Sequence, residues 1–177
     1  RADFDAVNVD GTARLLAALD AAAPAAPLLH FSSLAAREPQ LSHYAASKRA
    51  AERLLEERRG ERAVTLLRPP AVYGPGDREM LPVFRFMART GLAPCAGRAT
   101  DRLSLLFVDD LAQAACRWCT TPATGLSPWS LHDGRDGGYD WAALCAITAD
   151  VCGRAVRVWE IPRRPLDLLA HANAALA

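Results

Sequence analysis

Short apolar segments alternate along this chain with longer segments that carry helical periodicity. Residues 28–32 and 63–68 are apolar and too short for a helix, which is typical of buried strands. Strands that alternate with helices of about ten or more residues form βαβ units, and such units build a mainly parallel sheet. The alternation therefore predicts an α/β fold with a doubly wound parallel sheet.

The predicted elements follow from apolar periodicity and from capping or breaking residues. Strands are predicted at residues 28–32, 63–68, 103–108, 129–132 and 156–160. Helices are predicted from Asp3 or Asp5 to about residue 22, from a Ser42 cap to about 59, at 80–90, from Asp109 or Asp110 to 119, at 140–152, and from near Pro165. The stretch from Pro69 to Gly76 is predicted to be a loop.

Ligands of open parallel sheets bind beyond the carboxyl ends of the strands. The residues that follow the first two predicted strands are therefore candidates for a binding site. They are Ser32 and Ser33 after the first strand and the segment 69–72 after the second. His30 lies inside the first strand and is expected to be a hydrogen-bonded histidine of the core.

Tyr44 and Lys48 are four residues apart in a predicted helix, so they share one face. An ammonium beside a phenol favours the phenolate, which makes the phenol a usable general acid/base. Ser33 can hold a substrate oxygen against the Tyr44 phenol through its hydroxyl. The three side chains together suit hydride transfer to or from a carbonyl, with a cofactor supplying the hydride.

Lys48 is the single lysine among 21 basic residues. A strong preference for arginine everywhere else makes this exception informative. Ammonium and guanidinium groups differ in shape and donor geometry, so the position is predicted to need a compact cation on a flexible stem.

The order of these parts resembles the extended short-chain dehydrogenases/reductases, the NAD-dependent epimerase/dehydratase family. Five stretches match in order: Asn8-Val9-Asp10-Gly11-Thr12, Phe31-Ser32-Ser33, Tyr44-Ala45-Ala46-Ser47-Lys48, Arg68-Pro69-Pro70-Ala71-Val72-Tyr73-Gly74-Pro75-Gly76 and Phe107-Val108-Asp109-Asp110-Leu111-Ala112. The matches cover about residues 1–120, and residues 121–177 resemble the substrate-side region of the family.

The resemblance implies a role for each site residue. Tyr44 would be the catalytic acid/base, Lys48 would bind the nicotinamide ribose, and Ser33 would take the catalytic serine position. Ser32 is a weaker candidate beside the cofactor. The catalytic set would therefore be Ser33, Tyr44 and Lys48. The backbone of Pro69, Pro70 and Val72 would line the nicotinamide pocket, and Tyr44 and Lys48 would also bind the cofactor.

The resemblance also implies how much of the fold is present. Residues 1–120 would be the C-terminal half of a Rossmann-like NAD(P)-binding domain, interleaved with a small α/β C-terminal portion at 121–177. No Gly-x-x-Gly-x-x-Gly phosphate loop occurs in the sequence. We therefore expect an N-terminally truncated sequence that lacks its first three or four βα units and, with them, the turn that would hold the pyrophosphate. The choice between NAD and NADP would be made by residues upstream.

Two departures from the family pattern bear on the substrate. Ala71 stands where nucleotide-sugar enzymes often have asparagine, and ten residues separate Ser33 from Tyr44, fewer than sugar epimerases usually have. An epimerase/dehydratase acting on a nucleotide sugar therefore competes with a carbonyl reductase or a hydroxysteroid-dehydrogenase-like enzyme. A non-catalytic nucleotide-binding or assembly subunit is a third reading, against which the retained tyrosine and lysine argue.

The composition bounds the remaining functions. A net charge of +1 without a basic run gives no support for nucleic-acid binding, and no unbroken apolar stretch is long enough for a bilayer span. Five cysteines suit a reducing cytoplasm, and Cys116 and Cys119 have no second ligand pair, so no metal site is predicted. The resemblance implies a small-molecule substrate and a homodimer through the helices that hold Val7 and Tyr44.

Overall fold

The computed structural model describes residues 2–121 and 124–161. The helix predicted from near Pro165 lies outside the described residues. The predicted α/β arrangement with parallel strands is confirmed: strands β1 (Leu28–Phe31), β2 (Val64–Arg68) and β6 (Leu126–Ser130) form one parallel sheet in the order β1-β2-β6. Two smaller sheets pair β3 (Ala71–Tyr73) with β5 (Leu105–Phe107), and β4 (Leu92–Cys95) with β7 (Arg157–Glu160).

Helices connect these strands. The first helical stretch runs through α1 (Ala2–Asp5), a π-helical segment (Ala6–Asp10) and α2 (Gly11–Ala22). The others are α3 (His43–Arg58), α4 (Leu81–Thr90), α5 (Val108–Thr120) and α6 (Trp141–Cys152). Short 3₁₀ turns at Leu34–Arg37 and Pro39–Leu41 fill the segment between β1 and α3.

Several helix ends follow the capping residues in the sequence. The Ser42 hydroxyl accepts from Ala45 N at 3.0 Å and caps α3, as predicted. Gly91 ends α4 as predicted: its N–H donates to the Met87 carbonyl, and its positive φ of 74° turns the chain out of the helix. Asp109 is not a cap, since α5 already begins at Val108 and the carboxylate lies in the first turn.

The described chain divides into two compact units. Within the described residues, the first unit comprises 2–70, 106–121 and 124–133, and the second comprises 71–105 and 134–161. The sequence-based division at residue 120 concerns the whole protein and stays a prediction.

The first unit has its own apolar core between the parallel sheet and two helices. Leu16 of α2 and Leu55 of α3 pack against Val64 and Leu66 of β2. Each of these side chains is at most 3% exposed, so the two helices are held on the sheet by close-packed aliphatic contacts. The arrangement fixes α3, which carries Tyr44 and Lys48, against the sheet in which β1 leads to Ser33.

The second unit is packed around a separate apolar core. Met87 of α4, Ala93 of β4 and Leu144 of α6 are buried together there. The Leu103 and Tyr139 backbones exchange both hydrogen bonds at 2.8 Å and tie the two segments of this unit together. Among the described helices, none has both the length and the apolar character needed to cross a membrane.

Candidate active site

Lys48 joins α3 to the end of β1. Its Nζ donates to the Phe31 carbonyl at 3.1 Å, two residues before Ser33. The same Nζ lies 5.8 Å from the centroid of the Tyr44 ring. Burial of the ammonium lowers the pKa of Lys48 from its usual value. The structure therefore brings the two residues of the Tyr-x-x-x-Lys pair together at the carboxyl end of β1.

Tyr44 stays accessible while its ring is supported from one side. The Phe4 ring meets it edge to face, with centroids 5.8 Å apart and an interplanar angle of 67°. Tyr44 remains 38% exposed, so a small molecule can reach it.

Ser33 and Ser32 differ in exposure and in bonding. Ser33 is extended, with φ −154°, and its Oγ accepts from Ala35 N at 3.2 Å at the start of a 3₁₀ turn. A hydroxyl that accepts this bond still has its own hydrogen to donate. Ser32 is 4% exposed, and its N–H donates to the Leu67 carbonyl at 2.8 Å. Of the pair, Ser33 is the one whose hydroxyl a substrate can reach.

The residues after β2 are hydrogen-bonded to the segment that follows β1. The buried Pro69 accepts from Leu34 N through its carbonyl at 2.9 Å, and this bond ties the segment after Ser33 to the end of β2. Pro70 follows and is half-buried. Val72 belongs to β3 in the second unit, and residues 71–73 are a short strand where a loop was predicted.

Ser47 links α3 to the π-helical segment from a position between Tyr44 and Lys48. It is fully buried, donates to the Tyr44 carbonyl at 2.8 Å and accepts from Asn8 Nδ2 at 2.9 Å. Thr12 Oγ1 donates to the Asn8 carbonyl at 2.6 Å. Single π turns often occur at functional sites. Here the π turn directs the Asn8 side-chain amide toward α3, the helix that carries Tyr44.

His30 differs from its sequence-based interpretation as a hydrogen-bonded core residue. Its Nε2 is buried and has no hydrogen-bond partner in the described part of the chain. Burial and, to a smaller extent, the Lys48 charge lower its pKa from 6.5 to about 4, while the Glu52 carboxylate opposes the shift. The imidazole is therefore neutral at physiological pH and lies in the electrostatic field of the site.

Sequence analysis did not single out Glu52, a fully buried carboxylate one helical turn beyond Lys48. Arg68 Nε and Nη2 donate to its two oxygens, each at 2.7 Å. The signal that could have found it is the four-residue spacing of Tyr44, Lys48 and Glu52, which sets all three on one helix face.

The described residues suit one end of a nicotinamide cofactor. The Lys48 ammonium has three donor hydrogens and the Phe31 carbonyl uses one, so ribose hydroxyls could accept from the others. No group of three or more His, Cys, Asp or Glu side chains that could hold a metal ion occurs among residues 2–121 and 124–161.

Fold and sequence together define the class of protein. The NAD-dependent epimerase/dehydratase family model matches residues 1–131, so the chain belongs to that family, as the motifs predicted. It is also 41% identical over 159 residues to the ceramide reductase of Caulobacter vibrioides. That match covers 90% of this chain and 48% of the relative, so the chain spans about half the relative's length.

Solved structures share the fold, which is Rossmann-like and partial relative to theirs. A dTDP-glucose 4,6-dehydratase from Bacillus anthracis in complex with NAD has a TM-score of 0.73 and 17% identity, over 90% of this chain and 57% of its own. The protein RMD from Pseudomonas aeruginosa, complexed with NADPH, has a TM-score of 0.68 and 23% identity, over 89% and 61%. The family description and these complexes agree with the predicted cofactor, NAD or NADP.

Proposed function

We propose that the protein to which this chain belongs is an NAD(P)-dependent oxidoreductase that interconverts a ketone and a secondary alcohol. The observation that carries the proposal is the meeting of Lys48 with the end of β1, where Ser33 follows and the accessible Tyr44 ring lies beside the ammonium. A proton donor, a cation and a hydroxyl at one strand end suit carbonyl chemistry.

The proposed mechanism assigns one task to each side chain. The nicotinamide, when bound, supplies or accepts the hydride. Ser33 donates a hydrogen bond to the substrate carbonyl oxygen and orients it toward Tyr44. The Tyr44 phenol gives its proton to that oxygen, so a ketone that gains hydride and proton becomes a secondary alcohol. Lys48 binds the ribose and stabilises the phenolate that Tyr44 leaves behind.

For the substrate we favour a lipid ketone of the ceramide type. The relative at 41% identity is a ceramide reductase, and the match runs through the whole site region. The short segment between Ser33 and Tyr44 and the alanine at 71 depart from the nucleotide-sugar pattern. An epimerase or dehydratase acting on a nucleotide sugar is the second candidate, because the family description favours it.

A reducing compartment such as the cytoplasm fits the proposed enzyme. The five cysteines of the sequence are all unpaired thiols in the structure. Unpaired thiols are typical of proteins that work in a reducing compartment.

The test compares two substrates on the complete protein. One is the ketone made by oxidising the secondary alcohol of a short-chain ceramide, and the other is UDP-glucose. Consumption of NADH or NADPH is followed by absorbance, and conversion of UDP-glucose by chromatography. We expect turnover of the ceramide ketone. Turnover of the nucleotide sugar alone would favour the second candidate, and inactivity on both would contradict the proposal.

Tyr44→Phe tests the assigned mechanism. It should lower kcat by at least about 100-fold, the contribution typical of a general acid, and leave cofactor affinity nearly unchanged by calorimetry. Tyr139→Phe, in the second unit, is the matched control and should keep wild-type turnover. Wild-type turnover in Tyr44→Phe would remove Tyr44 from the mechanism.

A further inference from the structure

Glu52 is an ionisable group whose side chain lies in the protein interior, where a charge requires compensating interactions. Its side chain is fully buried, and it lies two helical turns beyond Tyr44 and one beyond Lys48. Removing a carboxylate from water is costly unless strong hydrogen bonds replace the lost solvation. The partners of Glu52 therefore define what the residue does.

Arg68 forms a bidentate ion pair with Glu52. Its Nε donates to Oε1 and its Nη2 to Oε2, both at 2.7 Å, and Arg49 Nη1 adds a third bond to Oε2 at 2.9 Å. Burial acts to raise the pKa of Glu52, but its hydrogen bonds to Arg68 and Arg49 outweigh it, so the pKa lies below its usual value. The buried Ser32 hydroxyl makes no hydrogen bond within the described residues.

The pair spans the two elements that build the candidate site. Glu52 belongs to α3, which carries Tyr44 and Lys48, whereas Arg68 is the last residue of β2. The next residue, Pro69, accepts from Leu34 N and so is tied to the segment that holds Ser33. A constraint between Glu52 and Arg68 is therefore a constraint between the tyrosine helix and the serine segment.

The geometry points to Glu52 and Arg68 as positioning residues for the reaction proposed above, on which this inference rests. Two parallel hydrogen bonds between planar groups fix both distance and orientation, whereas aliphatic contacts hold α3 on the sheet without directional bonds. The pair thus sets the register at which the Tyr44 phenol and the Lys48 ammonium face Ser33. Glu52 is fully buried, so it acts through the helix and not on the substrate.

Two variants distinguish a positioning role of the Glu52–Arg68 pair from a purely stabilising one. Arg68→Lys keeps the charge but loses the planar fork. The double variant Glu52→Met/Arg68→Met replaces the buried pair with apolar groups, a change that often preserves or improves folding stability. We expect kcat to fall about ten-fold or more in both variants, because small misplacements of reacting groups are costly, while the cofactor Kd stays within about two-fold. Arg53→Lys, on the exposed side of α3, is the matched control and should keep wild-type kcat.

A second readout does not depend on turnover. With ¹⁵N-lysine labelling, the side-chain ammonium signal of Lys48, identified by its loss in Lys48→Arg, reports the surroundings of that group. We expect it to shift in Arg68→Lys and in the double variant, and to stay in place in Arg53→Lys. A stably folded double variant with wild-type kcat and an unmoved signal would overturn the inference. Inactivity of the wild type on every substrate, with the signal shifting as expected, would contradict only the proposed function.

Discussion

His30 is a titratable residue that the fold keeps neutral. Its burial and, to a smaller extent, its position near Lys48 disfavour protonation, and its pKa falls from 6.5 to about 4. An unfolded chain binds this proton more readily than the folded one between those two values. Folding stability from His30 is therefore complete above about pH 6.5 and is lost progressively as the pH falls toward 4.

His30→Gln should remove this pH dependence. Between pH 7.5 and 4, wild type should lose about 3 kcal/mol of unfolding free energy through His30, because each pKa unit corresponds to about 1.4 kcal/mol. Urea unfolding at several pH values measures it, and most of the loss precedes titration of ordinary carboxylates. His43→Gln, an exposed change on α3, should leave the dependence intact. Parallel pH profiles for wild type and His30→Gln would contradict the assignment.

The residues of the candidate site differ in how far the sequence could predict them. Tyr44, Lys48 and Ser33 were predictable, because a fixed helical spacing and a strand end define their positions. The same spacing places Glu52 on the helix face of Tyr44 and Lys48, but its burial was not predictable, since glutamate in a helix is usually on the surface and the partner Arg68 lies sixteen positions away. Pairing across elements leaves no periodic trace in a sequence.

At the scale of elements, α3 is attached at two places. Lys48 and Glu52 hold it to the sheet, whereas Ser47 and Asn8 hold it to the π-helical segment. The second attachment lies directly behind the Tyr44 backbone, because Ser47 donates to the Tyr44 carbonyl.

Ser47→Ala should therefore lower the unfolding free energy by about 1–3 kcal/mol, because it leaves the Asn8 amide without its acceptor. A double-mutant cycle with Asn8→Ala, measured by urea unfolding, should give a coupling energy above about 0.5 kcal/mol. Ser130→Ala, at an exposed position of β6, should change stability by less than about 0.5 kcal/mol. Additive effects of Ser47→Ala and Asn8→Ala would show that the bond contributes nothing.

Most helices and the buried strands β1 and β2 were predictable from periodicity and caps. The strands β3 and β4 were missed because each is short and lies among Gly and Pro residues, which usually mark loops. Pro94 lies within β4, and Pro128 lies within β6, whose predicted range of 129–132 therefore began three residues too late. Pairing with a partner strand decided these segments, and local preference did not.

At the scale of the whole molecule, the first helical stretch presents an apolar surface. Phe4, Val7 and Leu15 are 44%, 73% and 48% exposed, and Phe4 also touches Tyr44. Exposed apolar side chains grouped on one element often mark a protein interface. This surface supports the proposal, implied by the family resemblance, of a homodimer that includes the helices holding Val7 and Tyr44.

Val7→Glu/Leu15→Glu should convert such a dimer to a monomer, because two like charges would face an apolar interface in each subunit. Sedimentation velocity on the complete protein measures the change. Ile147→Glu, at an exposed apolar position of α6, is the control and should leave the dimer intact. A monomeric wild type, or a double variant that still sediments as a dimer, would contradict the proposal.

The π-helical segment Ala6–Asp10 amounts to one extra residue wound into an otherwise regular helix. Removing a residue there would let the helix become regular, and every side chain before the deletion would rotate by about 100° relative to those after it. Phe4 would then leave the Tyr44 ring, although the contacts of Leu16 with the sheet would persist. Deletion of a single residue would thus remove the aromatic neighbour of Tyr44 and leave the apolar core around Leu16 intact.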